Sequence, residues 1–275
     1  MMRLSVITLA LIGAFFVSPS ISAPAPKRIV STHLCADQLL LLLAAKNNIV
    51  SLSYFASDPN FSVISSEAKQ FPKNYGFIEE ILQLRPDIVF TGGFSARPTT
   101  RFLKRAGVKV VELPISTNFE GIRANIRKVA NAVGQPLTGD NLIEIFNFDL
   151  ALESLGEGAS PIAALYFQNG YMPGKYDLAA EITRRAGFDD LSSRYGINKS
   201  GYLQLEQLIL LQPDILVIPK VGSNSLAERI PHHPALRSML GGKRIAIIPE
   251  KLWTCGGPFV TEALLKLRHI RREMW

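Results

Sequence analysis

The feature of this sequence that most constrains its fold is an eleven-residue block that occurs twice. Residues 79–89 read EEILQLRPDIV and residues 206–216 read EQLILLQPDIL, at a constant offset of 127 residues from Glu79 to Glu206. In each copy a short amphipathic run is stopped by Pro-Asp and followed by aliphatic residues, which predicts a helix that leads into a buried strand. A duplicated helix–strand unit indicates two lobes of the same architecture.

The segments around each copy alternate between short apolar runs and helical patterns, which is typical of βαβ units with parallel sheets. We therefore predict an α/β fold with two Rossmann-like lobes, each built on a parallel sheet. The first half has predicted strands at 28–31, 49–52, 88–90 and 108–113, and predicted helices at 36–46, 77–84 and 99–106. The second half has predicted strands at 162–167, 215–219 and 244–248, and predicted helices at 177–186, 203–211 and 258–272.

The stretch between the two halves is predicted to be helical. Apolar residues recur every three or four positions over 119–133, and the pattern resumes over 137–155 after Gly134-Gln135-Pro136. At about 1.5 Å per residue the second segment is roughly 28 Å long, about the width of a domain. Such a helix is either a stiff strut that limits lobe closure to a few degrees or part of one lobe's core. The predicted divisions are an N-terminal lobe at 27–117, a helical region with the strut at 118–158, and a C-terminal lobe at 159–275 whose final helix returns toward the first lobe.

Residues 1–22 have the three parts of a secretory signal peptide. One positive charge at Arg3 precedes an apolar run from Leu4 to Val17, and small residues follow up to Ser22. The apolar run is shorter than the roughly 20 residues that a membrane-spanning helix needs. We therefore predict cleavage after Ser22 and export to the periplasm.

Composition excludes several classes of protein. A hydrophobic fraction of 47% is too high for a disordered chain, and the formal net charge of +7 comes from scattered basic residues without a basic face for nucleic acid. The sequence lacks the Gly-x-Ser-x-Gly, Walker A and Rossmann glycine motifs, so we predict no catalytic residues and no enzyme activity. Only four histidines occur, at positions 33, 232, 233 and 269, which disfavours a site for a free metal ion.

The duplicated block, the strand start at Arg28-Ile29-Val30-Ser31 and the mid-chain helix together resemble one family. This is the helical-backbone class, class III, of periplasmic substrate-binding proteins of ABC importers, which includes vitamin B12 and ferric-siderophore receptors. The resemblance covers nearly all of residues 27–275. It implies a solute held in the cleft between the lobes, and docking to a membrane permease dimer through one surface carboxylate per lobe. The matching positions are Glu79 and Glu206, and we expect the receptor to be a monomer.

The helical pattern agrees with exposure of both carboxylates. It places Ile78, Ile81 and Leu82 on one face of the first helix, with Glu79 off that face. Glu206 likewise lies off the face of the second helix that carries Leu205, Leu208 and Ile209. Glu80 is adjacent to Glu79 and is an alternative docking residue.

The cleft is expected at the carboxyl ends of the parallel strands, where ligands bind in α/β sheets. The loops there are rich in aromatics and poor in acids, which suits a large, mostly neutral or chelated ligand. Arg97 or Lys220 would meet carboxylate or catecholate groups of such a chelate. The candidate cleft residues are His33, Cys35, Tyr54, Phe55, Phe94, Arg97, Gln168, Tyr171, Lys220, Trp253 and Cys255.

The two cysteines of the chain, Cys35 and Cys255, both fall on predicted cleft loops, one in each lobe. In an oxidising compartment a disulfide between them would tie the lobes together near the hinge. The sequence leaves two alternatives open: free thiols near the cleft, and contact with a metal or a corrinoid.

These observations predict a periplasmic solute-binding protein with no cofactor and no metal site of its own. The predicted ligand is a corrinoid of the cobalamin type or a ferric siderophore-like chelate, delivered to an ABC import permease. One alternative is a haem receptor with His33 or a tyrosine as axial ligand, and another is a receptor for a free metal ion. A periplasmic hydrolase is a third alternative.

Overall fold

The computed structural model describes residues 25–93, 97–152, 160–220, 233–241 and 244–274. The predicted signal peptide, Phe94 and the side chain of Arg97 lie outside this part of the chain. Within the described ranges we find no helix whose length and apolarity would let it span a bilayer.

The first half of the chain folds around a five-stranded sheet in which every pairing is parallel. Its strands are β1 (Ile29–Ser31), β2 (Ile49–Ser53), β3 (Lys73–Asn74), β4 (Ile88–Gly92) and β5 (Lys109–Leu113). They are ordered β3-β2-β1-β4-β5 across the sheet. The helices between them are α1 (Leu34–Leu43), α2 (Ser65–Ala68), α3 (Ile78–Gln83) and α4 (Arg97–Arg105).

Both faces of this sheet are buried, which explains why its strands read as continuous apolar runs. Successive residues of β4 point to opposite faces, so Ile88 and Phe90 join the main core while Val89 packs in a second cluster with Ile81 of α3. The apolar side chains therefore form two core layers, one between each face of the sheet and the helices that cover it.

Two long helices follow the first sheet, α5 (Phe119–Ala132) and α6 (Pro136–Ala151), and they pack against each other. Phe119 meets Phe146 edge-on, with ring centroids 6.0 Å apart and an interplanar angle of 81°. The main apolar cluster runs without interruption from the first sheet through these helices into the second half. The two lobes are thus joined through packed helices as well as through the chain.

The second half has a four-stranded sheet and a separate antiparallel pair. Its strands are β6 (Ile162–Leu165), β7 (Tyr171–Met172), β8 (Asp189–Asp190), β9 (Gly201–Tyr202), β10 (Ile215–Lys220) and β11 (Ile245–Pro249). The parallel sheet is ordered β11-β10-β6-β8, and β7 pairs with β9. The helices are α7 (Leu178–Arg185), α8 (Leu191–Arg194), α9 (Leu205–Leu211), α10 (Pro234–Met239) and α11 (Val260–Met274). Strands β8, β6, β10 and β11 repeat the order of β2, β1, β4 and β5, so the two sheets have equivalent topology.

The duplicated block performs the same structural task in both lobes. The carboxylate of Asp87 accepts the backbone N–H of Arg28 at 2.9 Å, at the start of β1. The carboxylate of Asp214 accepts the N–H of Ile162 at 2.7 Å, at the start of β6. Each Pro-Asp therefore ends a helix and fixes the backbone at the start of the neighbouring central strand.

Several predicted boundaries need correction. The helix predicted at 36–46 is α1 at Leu34–Leu43, because the backbone is already extended at Ala44. The strut predicted at 137–155 is α6, which ends at Ala151. Final helix α11 packs on α6, α7 and β11, and the loop before it provides the contact with the first lobe described below.

Candidate functional site

A cavity of about 510 Å³ lies at the carboxyl ends of the strands of the first sheet. There the residues that follow these strands meet the loop that precedes α11. Most of its wall is apolar, and none of the described residues that line it is Asp, Glu, Lys or Arg. This volume falls within the range of small-molecule sites. The first lobe contributes residues 32–35, Leu39, Phe55, Phe61, Tyr75, Gly76, residues 113–116 and Asn125, and the second contributes residues 254–256.

Buried amide side chains hold the loops of this cavity in place. The amide of Asn74 donates to the carbonyl of Ser31 at 2.8 Å and to that of Leu52 at 3.0 Å, so it links three neighbouring strands at their ends. The amide of Asn125 donates to the carbonyl of Pro114 and to the hydroxyl of Ser116, both at 2.9 Å. These bonds fix the cavity wall to the sheet and to α5.

Asp37 is a buried carboxyl group directly behind the cavity. It accepts hydrogen bonds from the hydroxyl and from the backbone N–H of Ser53, the latter at 3.2 Å. Burial raises the pKa of Asp37 to about 6, although the hydrogen bonds from Ser31 and Ser53 act in the opposite direction. The side chain joins the first turn of α1 to the end of β2, just before Tyr54 and Phe55.

His33 places an imidazole in the cavity wall. Burial lowers the pKa of His33, so the ring is neutral at pH 7. Its Nδ1 atom is buried and has no hydrogen-bond partner among the described residues. A neutral imidazole of this kind is able to accept a hydrogen bond from a ligand or to coordinate a metal centre.

A disulfide joins the two lobes at the cavity wall. Cys35, in the first turn of α1, is bonded to Cys255, which precedes α11, with Cα atoms 5.1 Å apart and a separation of 220 positions in sequence. Both residues line the cavity. Of the three alternatives that the sequence leaves for the cysteines, the structure has the disulfide.

The lobes also touch closely beside this disulfide, at Gly256. A Cβ atom at this position would overlap the Cβ of Ser116 and lie 2.8 Å from its Oγ. At Gly257, by contrast, a Cβ atom would meet nothing closer than the Oε1 of Gln38 at 3.9 Å. Glycine is therefore required at position 256 so that the loop of the second lobe can lie against the first.

We expect Gly256→Ala to lower the free energy of unfolding by about 1–3 kcal/mol, because the added methyl group pushes the lobes apart. Gly257→Ala is the matched control and should leave stability nearly unchanged. Urea unfolding followed by circular dichroism measures both, and Ser116→Gly should restore much of the loss in the Gly256→Ala background. Equal losses from the two glycine substitutions would show that the interlobe contact is not the cause.

Comparison with known proteins places this geometry in a family. The sequence model described as periplasmic binding protein matches residues 29–243. The chain belongs to the periplasmic binding protein family. No curated protein gives a significant match.

Solved structures share the fold of this periplasmic binding protein at low sequence identity. A periplasmic haem-binding protein of Roseiflexus sp. RS-1 is 20% identical with a TM-score of 0.74, over 89% of this chain and 98% of that one. The periplasmic vitamin B12-binding protein of Vibrio cholerae is 14% identical with a TM-score of 0.67, over 90% and 97%. An Fe3+-hydroxamate transport protein of Saccharomonospora viridis DSM 43017 is 16% identical with a TM-score of 0.70, over 90% and 93%. The predicted fold class and the predicted class III resemblance are confirmed.

The structure brings some of the predicted cleft residues of this periplasmic binding protein together. His33, Cys35, Phe55 and Cys255 line the cavity. Tyr54 lies beside it and stacks on Tyr75, with ring centroids 5.0 Å apart and an interplanar angle of 25°.

Four predicted residues of the second lobe do not line this cavity. Trp253 is buried because its ring stacks on Phe167, with centroids 5.8 Å apart. Tyr171 packs edge-on against Tyr202 of β9, with centroids 5.9 Å apart. The amide of Gln168 donates to Glu250 at 3.4 Å, and Lys220 is exposed at the end of β10. Among the described residues of the second lobe, those that line the cavity are therefore 254–256.

Sequence reasoning missed several lining residues. Leu113, Ile115 and Ser116 lie at the carboxyl end of β5, a position that the rule for parallel sheets already indicates. Tyr75 follows β3, a strand of two residues that is too short to give a pattern in the sequence.

The two predicted docking carboxylates lie at equivalent positions on the two lobes. Glu79 and Glu206 are each the second residue of their helix, α3 and α9, and both are exposed. Neither forms a hydrogen bond or ion pair with another described residue. Glu80, the alternative, accepts the backbone N–H of Tyr75 at 2.8 Å and so has a structural task at the start of α3.

Proposed function

We propose that this protein captures a large, electrically neutral metal chelate and delivers it to an ABC import permease. The proposed ligand is a corrinoid or a ferric siderophore of the hydroxamate kind. The observation that carries this proposal is the cavity of about 510 Å³, whose described lining contains no Asp, Glu, Lys or Arg and whose one histidine, His33, is neutral at pH 7. Burying a charged ligand group there would cost several kcal/mol without a counter-charge.

The same observation disfavours two other kinds of ligand. A ferric tris-catecholate carries three negative charges, and Lys220, one of the two residues predicted to meet such groups, does not line the cavity. The side chain of the other, Arg97, lies outside the described part of the chain. For a free metal ion the donors are too few, since His, Cys, Asp and Glu in the described ranges form no group of three that could hold one.

Haem is the second candidate, because one residue specifically favours it. His33, whose imidazole is neutral, lines a cavity large enough for a flat macrocycle, and imidazole is a common axial ligand of haem iron. The described lining offers no Lys or Arg to the two haem propionates, which would then have to lie outside this part of the wall.

A panel of probes tests the proposed ligand class. Purified protein is titrated with cyanocobalamin, a ferric trihydroxamate, a ferric tris-catecholate and haemin, and binding is followed by fluorescence quenching and by visible absorbance. We expect one of the first two to bind about a hundredfold more tightly than the tris-catecholate. Equal or tighter binding of the tris-catecholate would refute the neutral-chelate proposal. Tight haemin binding that is lost in His33→Ala, with a shifted Soret band, would establish the haem alternative.

We further propose that Glu79 and Glu206 are the docking residues. Their exposure, their equivalent placement and their lack of partners support this role, since a permease dimer could offer one arginine to each carboxylate. We expect Glu79→Gln with Glu206→Gln to abolish uptake by cells while the dissociation constant for the bound chelate stays unchanged. Glu144→Gln, at an exposed position of α6, is the control. Loss of chelate affinity in the double variant would refute the assignment.

A further inference from the structure

The docking helices of the two lobes expose apolar side chains beside the carboxylates. Leu82, which the helical pattern places on the buried face of α3, has 39% of its surface exposed. Leu210 of α9 is 81% exposed. Leu82 lies three positions after Glu79 and Leu210 four positions after Glu206, so each leucine is a neighbour, on the helix surface, of the acid that precedes it.

An exposed aromatic ring accompanies each pair. Phe77, which immediately precedes α3, is 65% exposed, and Tyr202, three residues before α9, is 77% exposed. Each lobe therefore presents a patch of one carboxylate, one aromatic ring and one leucine. The N-lobe patch is Phe77, Glu79 and Leu82, and the C-lobe patch is Tyr202, Glu206 and Leu210.

Helix capping and core packing explain the residues next to these patches. They do not explain the exposed residues of the patches themselves. Glu80 and Gln207, at equivalent positions, each use a side-chain oxygen to accept a backbone N–H at the start of their helix, from Tyr75 and Gln204. The buried anchors of the two helices are the residues between acid and leucine, Ile81 and Leu208. Neither capping nor core packing accounts for the exposed leucine of each helix. The two leucines are not equivalent positions of the repeat, since Leu82 corresponds to Ile209 and Leu210 to Gln83.

The two glutamates alone would give too little binding free energy for docking. A solvent-exposed ion pair contributes only about 0–1 kcal/mol, so two of them would not hold a receptor on a membrane protein. Apolar neighbours that exclude water from an ion pair strengthen it and add buried area of their own. A carboxylate next to an exposed leucine is suited to bind a cationic side chain that has an apolar residue beside it.

We infer that the two patches form a composite docking surface, in which Leu82 and Leu210 are buried against the permease together with the two glutamates. This inference rests on the proposed docking function and adds the chemistry of the partner. The permease presents, at two places, a basic side chain flanked by apolar surface.

A competition experiment tests the inference without knowledge of the ligand. Fluorescently labelled wild-type receptor is bound to membranes of the source organism whose periplasmic face is accessible, and unlabelled variants compete for the saturable sites. The variants are Leu82→Gln, Leu210→Gln, their combination, and Glu79→Gln with Glu206→Gln. Leu137→Gln is the matched control, since Leu137 is 77% exposed on α6. Glutamine has nearly the helix propensity of leucine, so folding is preserved.

We expect each leucine variant to compete about tenfold more weakly than the wild type, and the combination about a hundredfold more weakly, because distant sites add. Leu137→Gln should compete like the wild type. If the leucine variants compete normally while the glutamate variant fails, the composite surface is refuted and the docking function stands. If the glutamate variant also competes normally, the docking assignment itself fails. A loss with Leu137→Gln equal to that with Leu210→Gln would also overturn the inference.

Discussion

Replacing both cysteines, Cys35→Ser with Cys255→Ser, is expected to lower the free energy of unfolding by about 3–5 kcal/mol. The disulfide closes a loop of 220 positions, which is most of the 275-residue chain. A cross-link of this span greatly reduces the conformational freedom of the unfolded protein. The loss would be a large fraction of the total stability of a typical domain.

Chemical reduction provides the control for this prediction. Urea unfolding is measured for the wild type and the double variant, with and without dithiothreitol. The reductant should bring the midpoint of the wild type to that of the double variant and should leave the double variant unchanged. Identical midpoints for the oxidised wild type and the variant would show that the bond does not stabilise the fold.

The same variant also probes the cavity, because Cys35 and Cys255 are part of its wall. Without the bond, the loop of the second lobe is held against the first mainly by the close approach of Gly256 to Ser116. We therefore expect faster dissociation of bound chelate from the double variant, measured by displacement under conditions in which it remains folded.

The fold of this protein could be predicted because its sequence repeats a physically interpretable unit. Pro86-Asp87 and Pro213-Asp214 stop a helix and anchor a strand in both lobes, and the strands they precede are buried on both faces. A block of this kind can be recognised in the sequence because each of its residues has one structural task. Strands β3 and β8 were missed because each is two residues long and leaves no periodicity.

The candidate site was only partly predictable. The rule that ligands bind beyond the carboxyl ends of parallel strands found His33, Cys35 and Phe55, which follow the ends of β1 and β2. The rule cannot tell which aromatic ring turns toward the cavity, and so it included Trp253, whose ring stacks on Phe167 instead. The direction in which each ring points depends on packing between residues far apart in sequence, and no local sequence pattern indicates it.

Asp37 should make the stability of the protein fall as the pH rises from about 4 to 7. Its pKa in the folded protein is about 6, above the ordinary aspartate value of 3.8, because the carboxyl group is buried. The folded state therefore binds a proton more tightly than the unfolded state over this range. By linkage, ionisation of Asp37 costs about 3 kcal/mol of folding free energy by pH 7.

Asp37→Asn isolates this contribution. The neutral amide keeps a carbonyl oxygen to accept the N–H of Ser53, and it does not titrate. We expect the variant and the wild type to have similar free energies of unfolding near pH 4, and the variant to be more stable by about 3 kcal/mol near pH 7. His33, whose pKa is lowered, contributes the opposite slope near neutral pH, but it does so in both proteins and cancels in the difference. Parallel pH profiles for the two proteins would contradict the raised pKa.

Because Asp37 joins α1 to the end of β2 behind the cavity, a titration seen in stability but absent from chelate affinity would show that this carboxyl group supports the wall without contacting the ligand.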